Sequence, residues 1–436
     1  MVSGFVLVAL LTVGSKAVSF LKDAAVARQF GTGDALDAFM LAFGFLTFLA
    51  ALIGGGLPEA FLPMYAETLH QKSDEQAQRL AVQSCLVHAL SLLLISAIVW
   101  FTAADWVQWA TRGFSAEKQA LAADLLRQLL PFLFCFGMSY QLGTWLRADK
   151  YFTLATMAPI LVPLTIIGFL IADGSQTNVQ TLVLGTLIGA VLHLLVLMIG
   201  VWRRLRPTLS FAMSCVRQCE PGVWRVAQNT LPFLFAGGIF SSAVVVDQTM
   251  AAWLEPGSVA VLGYTEKVCG IILAVTAAPS CDVLFPYFAD KVARNDWLGV
   301  RRQLFHSAAM ILSLALPAVL LLCWQAPLVI HLLFERGSFT AHDTERVAEV
   351  LRFAALQIPF YILGSLASRV VVAMQATRFI VIVSALGLVG NASLNWLLMQ
   401  KLGVAGIALS TVLVQMLTAG VVYMYVLRQI RGRMTH

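Results

Sequence analysis

Charge is what this sequence has least of. Only 12% of its 436 residues are Asp, Glu, Lys or Arg, against about 25% in an ordinary soluble domain. Hydrophobic residues make up 59% and the mean hydropathy is +0.82. That balance excludes a soluble globular chain and defines a polytopic membrane protein. Short alternating apolar strands are also missing; the apolar runs are long and continuous, which favours helices over a barrel. A basic leader is absent as well. The first apolar run continues past Lys16 without a cleavage site, so it reads as a span rather than a signal peptide.

Metal-ligand spacing is lacking too. The seven cysteines are scattered, and Cys215 and Cys219 sit in a basic loop with no second Cys or His pair to complete a zinc site. No metal or cofactor is expected. The net charge of +6 does not point to nucleic acid, because the cations lie in loops between apolar runs and no nucleic-acid motif accompanies them. They fit topology and contact with anionic membrane lipid instead.

What is present is a ladder of about twelve apolar segments. They centre on Val13, Phe45, Leu92, Phe134, Thr165, Leu192, Ile239, Ile272, Leu314, Tyr361, Leu386 and Leu413. With the N-terminus placed in the cytoplasm, the inner loops hold Lys72, Arg79, Arg147, Lys150, the cluster from Arg203 to Arg225, Lys291, Arg294, Arg301, Arg302 and Arg378. The tail adds Arg428, Arg431 and Arg433. The outer loops hold only Arg28, Arg112, Lys118, Arg336, Arg346 and Lys401, a ratio of roughly three to one. Both termini are therefore expected in the cytoplasm.

The chain repeats itself. FLPMYAETLH at Phe61 resembles LFPYFADKVA at Leu284. Arg112-Gly113-Phe114 resembles Arg336-Gly337-Ser338-Phe339, Leu130-Pro131-Phe132 resembles Ile358-Pro359-Phe360, and Lys150-Tyr151-Phe152 resembles Arg378-Phe379. These landmarks are offset by a near-constant 223 to 228 residues, so the chain reads as two six-span lobes, 1–206 and 225–436, joined by a basic linker, 207–224. Six is even, so both lobes insert the same way up. Parallel repeats of this kind imply alternating access around a central cavity at the midplane. A channel or scaffold could also be duplicated, but charges inside the spans favour transport.

Those charges concentrate in the hairpin Ser15–Pro63. A charge at the bilayer centre costs roughly 2.5–3.5 kcal/mol on insertion scales, so it usually faces water or a partner. Lys16 and Lys22 lie on the first segment about 120° apart around a helix. Together with Lys267 in the eighth span they are the candidate ligands for an anionic substrate. The alternative for Lys22 is an interfacial pair with Asp23. Asp37, Glu266 and Asp247 are candidate cavity acids or ion-coupling groups. For Asp37 a favourable charge at a helix N-terminus competes, for Glu266 an interfacial pair with Lys267, and for Asp247 a helix-end acid. Gly54, Gly55, Gly56 and Pro58 interrupt the second span as a hinge or as a close-packing surface.

Residues carry a resemblance at this point. Ser15-Lys16 to Phe30-Gly31, Asp37-Ala38-Phe39 and Ala60-Phe61-Leu62-Pro63 resemble the opening of the MurJ/MviN-type lipid II flippase family. LLFERGSFTAHDT from Leu332, Pro359-Phe360, Ser368-Arg369 and Ala376-Thr377-Arg378 resemble a later block of it. The likeness covers nearly the whole chain. It implies an all-α bundle of two six-helix lobes from the multidrug/oligosaccharidyl-lipid/polysaccharide exporter superfamily. It also implies a non-enzymatic flippase in the bacterial inner membrane that moves an undecaprenyl-diphosphate-linked saccharide outward. Three departures stand out. Lys16, Lys22 and Lys267 occupy positions where the family carries arginines, which keeps the charge but loses the bidentate fork. The second span lacks the family's paired arginines and glutamate. The chain has about twelve spans where the family has fourteen. These point away from lipid II specifically and fit a relative that serves an exopolysaccharide or other envelope glycan pathway. A multidrug exporter of the same superfamily is the alternative; it would be expected to line its site with acids and aromatics. A membrane glycosyltransferase or ligase would be expected to carry a large outer loop with carboxylates.

Overall fold

The computed structural model describes residues 2–174, 178–205, 215 and 220–434. Every regular element among them is helical. Helix α1 (Val2–Phe30) turns through Gly31, whose φ of 55° a residue without Cβ adopts at no cost, into α2 (Asp34–Gln71). There follow α3 (Asp74–Ala110), α4 (Ala116–Gln128), α5 (Leu130–Ala148), α6 (Phe152–Met157), a 3-10 turn, α7 (Leu161–Asp173) and α8 (Val179–Leu205). The second half comprises α9 (Pro221–Ala251), α10 (Ser258–Ala293), α11 (Trp297–Trp324), α12 (Ala326–Phe334), α13 (Ala341–Ala354), α14 (Gln357–Ala373) and α15 (Thr377–Met434).

Seven of these helices or helix runs are long and apolar enough to cross a membrane, and the bent pair α4–α5, at 43°, makes an eighth. The twelve centres read from the sequence each fall on their own helix, once α15 is divided at Gly403. There φ is 55° and ψ is −134°, and the helix breaks into two arms. The arms close tightly: a Cβ on Gly406 would lie 2.8 Å from the Met399 nitrogen.

The chain divides into two compact units, Met1–Ser241 and Ser242–His436. The boundary falls inside α9, so the first unit includes the opening of that helix. Most of the expected linker, 207–224, lies outside the described residues. Helices α2, α4 and α5 recur as α10, α13 and α14 at an offset of about 224 to 227 residues. The repeat extends to turn chemistry. Ser115 caps α4 and Thr340 caps α13. Lys150 (φ 68°) and Gln375 (φ 60°) make equivalent left-handed turns.

Within unit 1, Phe61, Tyr65, Leu80, Trp145 and Val226 form a buried cluster at one end of the bundle. The Tyr65 hydroxyl donates to Asp149 at 2.8 Å there. At the same end, Arg79 pairs with Glu75 at 2.9 Å and Glu220 at 3.5 Å, and Gln83 accepts from the Glu220 N–H. These contacts anchor the start of α9 to α3. Large apolar side chains such as Phe101, Ile171 and Leu314 are exposed, as a lipid-facing surface requires.

Candidate functional site

In unit 1 the site begins on α1. Lys16 is exposed. Lys22 is half-buried and lies 2.7 Å from the Asp23 carboxylate. The head of α2 opens with two acids in its first turn, Asp34 and Asp37. Asp37 is fully buried, and the ammonium of Lys118 lies 2.8 Å from it. Lys118 also reaches Asp34 at 2.5 Å and covers the Phe114 ring at 4.1 Å. Asp37 is therefore paired with α4. The equivalent of Lys118 in the second half is Asp343, which completes the capping box of α13 with Thr340. Unit 1 thus spends this position on an ion pair where unit 2 spends it on a helix cap.

Helix α2 runs unbroken through Gly54, Gly55, Gly56 and Pro58. A Cβ on Gly54 would stand 2.9 Å from Tyr140 on α5, and one on Gly56 would stand 2.7 Å from Leu234 on α9. These two glycines permit close helix contact. Gly55 has open space around it.

In unit 2 the acids and the cation assemble near one another. Asp247 on α9 is buried. It accepts from the Asn395 amide at 2.6 Å and from the Thr411 hydroxyl at 3.3 Å. The Asn395 amide also reaches Asn391 at 3.3 Å, and the Ser410 hydroxyl donates to the Asn395 carbonyl oxygen. A carboxylate, two amides and two hydroxyls from α9 and both arms of α15 therefore form one buried oxygen-rich network. Glu266 on α10 is partly buried within electrostatic reach of both Asp247 and Lys267. The Lys267 ammonium lies 5.3 Å from the Tyr264 ring centre.

The sequence reading missed Lys118, Asn391, Asn395, Ser410 and Thr411. Topology alone puts Lys118 in an outer loop. The two asparagines four residues apart in an apolar run were the available signal for the network. Outside the spans, Glu335 follows α12. Hydrogen bonds from Thr344 at 2.5 Å and from His331 hold its carboxyl below the usual range.

Helices that recur at a near-constant offset, with charged residues inside apolar runs, define the class: a polytopic helical membrane protein, whose fold recurs in two branches of solved transporters. The solved inward-facing MATE multidrug transporter superposes with a TM-score of 0.82 at 15% identity, covering 98% of this chain and 99% of that one. A solved lipid II flippase MurJ in an inward closed conformation superposes with a TM-score of 0.84 at 21% identity, covering 98% and 87%. Sequence decides between the branches. Residues 26–435 match the family described as lipid II flippase MurJ, and the chain belongs to that family. A probable lipid II flippase MurJ from Rhizobium tropici is 27% identical over 94% of this chain and 78% of the relative. A lipid II flippase MurJ from Burkholderia cenocepacia is 25% identical over 94% and 79%.

Proposed function

We propose that this protein flips a polyprenyl-diphosphate-linked saccharide, lipid II or a related envelope glycan, from the inner to the outer leaflet of the bacterial inner membrane by alternating access. The observation that carries this reading is the family match over residues 26–435 together with lysines kept inside apolar spans. Lys16, Lys22 and Lys267 bind the diphosphate as point charges. The protein performs no covalent chemistry, and both termini lie in the cytoplasm. The Gly54–Pro58 stretch of α2, with open space where a Gly55 side chain would stand, serves as its hinge.

A coupling cation belongs at Asp247. Carboxylate, amide and hydroxyl oxygens suit a hard monovalent cation that has shed its water. The membrane potential, positive outside, acts mainly on the unloaded return. It draws the empty cationic lobes toward the cytoplasmic side, at about 2.3 kcal/mol per charge per 100 mV. Asp37 is a structural ion-pair partner in this scheme rather than a cation ligand. The test is transport of lipid II by proteoliposomes holding the full chain. Loss of transport in Lys16→Ala and Lys267→Ala supports the reading. Full transport in both would remove the diphosphate role.

A further inference from the structure

Unit 1 carries a second buried polar centre that the transport reading does not use. Ser84 and His88 stand one turn apart on α3, and Gly137 and Gln141 one turn apart on α5. Ser84, His88 and Gln141 are all buried to within 1% of complete. The His88 ring meets the Gly137 carbonyl through Nε2 at 3.1 Å. A carbonyl only accepts, so Nε2 carries the proton and Nδ1 is a bare acceptor. The same carbonyl is the helical partner of the Gln141 N–H. The imidazole is therefore tied to the turn that carries the Gln141 amide. The helices approach this closely because Gly137 has no side chain; a Cβ there would lie 2.7 Å from the Leu92 Cδ2 atom.

Four side-chain atoms at this contact find no hydrogen-bond partner: His88 Nδ1, Ser84 Oγ, and the Gln141 Oε1 and Nε2 atoms. The Cys85 sulfur lies beside the amide, but it is too weak an acceptor to satisfy the amide N–H and leaves the amide oxygen unanswered. Folded interiors leave few such groups unmet. Unit 2 shows the contrast, since Asp247, Asn391, Asn395, Ser410 and Thr411 answer one another. The unit 1 set is complementary to something other than itself. It offers one pure acceptor, one amide with two donors and an acceptor, and one hydroxyl that does both.

We propose that Ser84, His88 and Gln141 build a buried water-binding site between α3 and α5. Water supplies two donors and accepts twice, and an internal water takes two to four partners. The groups are neutral and number three, which fits water better than a bare ion. A hydrated contact also lets polar groups exchange partners, so α5 can shift along α3 without stranding one of them.

The test is X-ray radiolytic hydroxyl labelling of the purified full chain, read by mass spectrometry. Bound water produces radicals in place, so the proposal predicts oxidation of Cys85 and His88 despite their burial, and a several-fold loss of it in Gln141→Leu. Ser84→Ala, a smaller change, should reduce it in the same direction. Unlabelled Cys85 and His88 alongside a labelled Met434 at the exposed chain end would overturn the site. So would a Gln141→Leu protein that melts higher with labelling unchanged, since Gln141 would then be an unpaired group and nothing more. Should Gln141→Leu fail to fold, wild-type labelling decides alone. None of these readouts depends on transport.

Discussion

Side chain by side chain, the charges sort by whether protein already answers them. Asp37 and Lys118 are both buried and 2.8 Å apart, so removing the cation leaves a carboxylate in an apolar setting. Breaking such a pair costs about 3–5 kcal/mol. Lys118→Met is expected to lower stability by that order, seen as a large drop in Tm in detergent. Asp34→Asn should change it by no more than about 1 kcal/mol, because the Asp34 side chain is 62% exposed. The same residues show what the sequence can and cannot reveal. It marks Asp37 as an unusual acid at the head of a span, because charge in an apolar run is visible at once. Its partner lies 81 residues later, and no local pattern links the two. Asn391 and Asn395 went unread for a different reason: they are uncharged, and only folding brings them to Asp247. If that network takes the coupling cation, sodium should raise the Tm of the wild type and leave Asp247→Asn unmoved. A thermal-shift titration against choline as the control cation checks this.

At the level of helices, glycine decides how closely pairs approach. Gly189 on α8 faces α7, and a Cβ there would fall 2.7 Å from the Val162 backbone, which cannot step aside. Gly189→Ala should destabilise by about 1–3 kcal/mol or more. Gly55→Ala meets open space; it should be neutral or stabilise the helix by about 0.5–1 kcal/mol. If α2 bends at this point during transport, the same substitution slows flipping without lowering Tm. The sequence offers hinge and packing as equal readings of Gly54–Gly56 because both need small residues; the neighbours Tyr140 and Leu234 show close packing at Gly54 and Gly56 and leave Gly55 open. The segment after α12 carries a pH dependence of known sign. Glu335 is held below its ordinary value of about 4.3 by Thr344 and His331. A lowered carboxyl stabilises above the unfolded value, and the contribution fades as pH falls through the folded one. Hydrogen exchange across 335–344 should therefore rise below about pH 4 in the wild type, and Glu335→Gln should lose that pH-dependent part at matched pH.

For the molecule as a whole, the legible part was large. Helices, repeat and family all follow from apolar period and near-constant offset, since a membrane permits few ways to satisfy a backbone. Illegible were the partners of each charge and the division inside α9, because these depend on tertiary contacts between distant segments. The central claim is that lysines in the spans carry a diphosphate-linked glycan across the bilayer. The most direct measurement is the rate at which proteoliposomes containing the full chain expose fluorescent lipid II to an outside quencher, with Lys16→Ala, Lys267→Ala and the corresponding arginine variants. The account predicts transport that falls at least about tenfold in each alanine variant and returns with arginine, a loss of about 1.4 kcal/mol or more at the cation–phosphate contact. Equal rates in wild type and both alanine variants would contradict it.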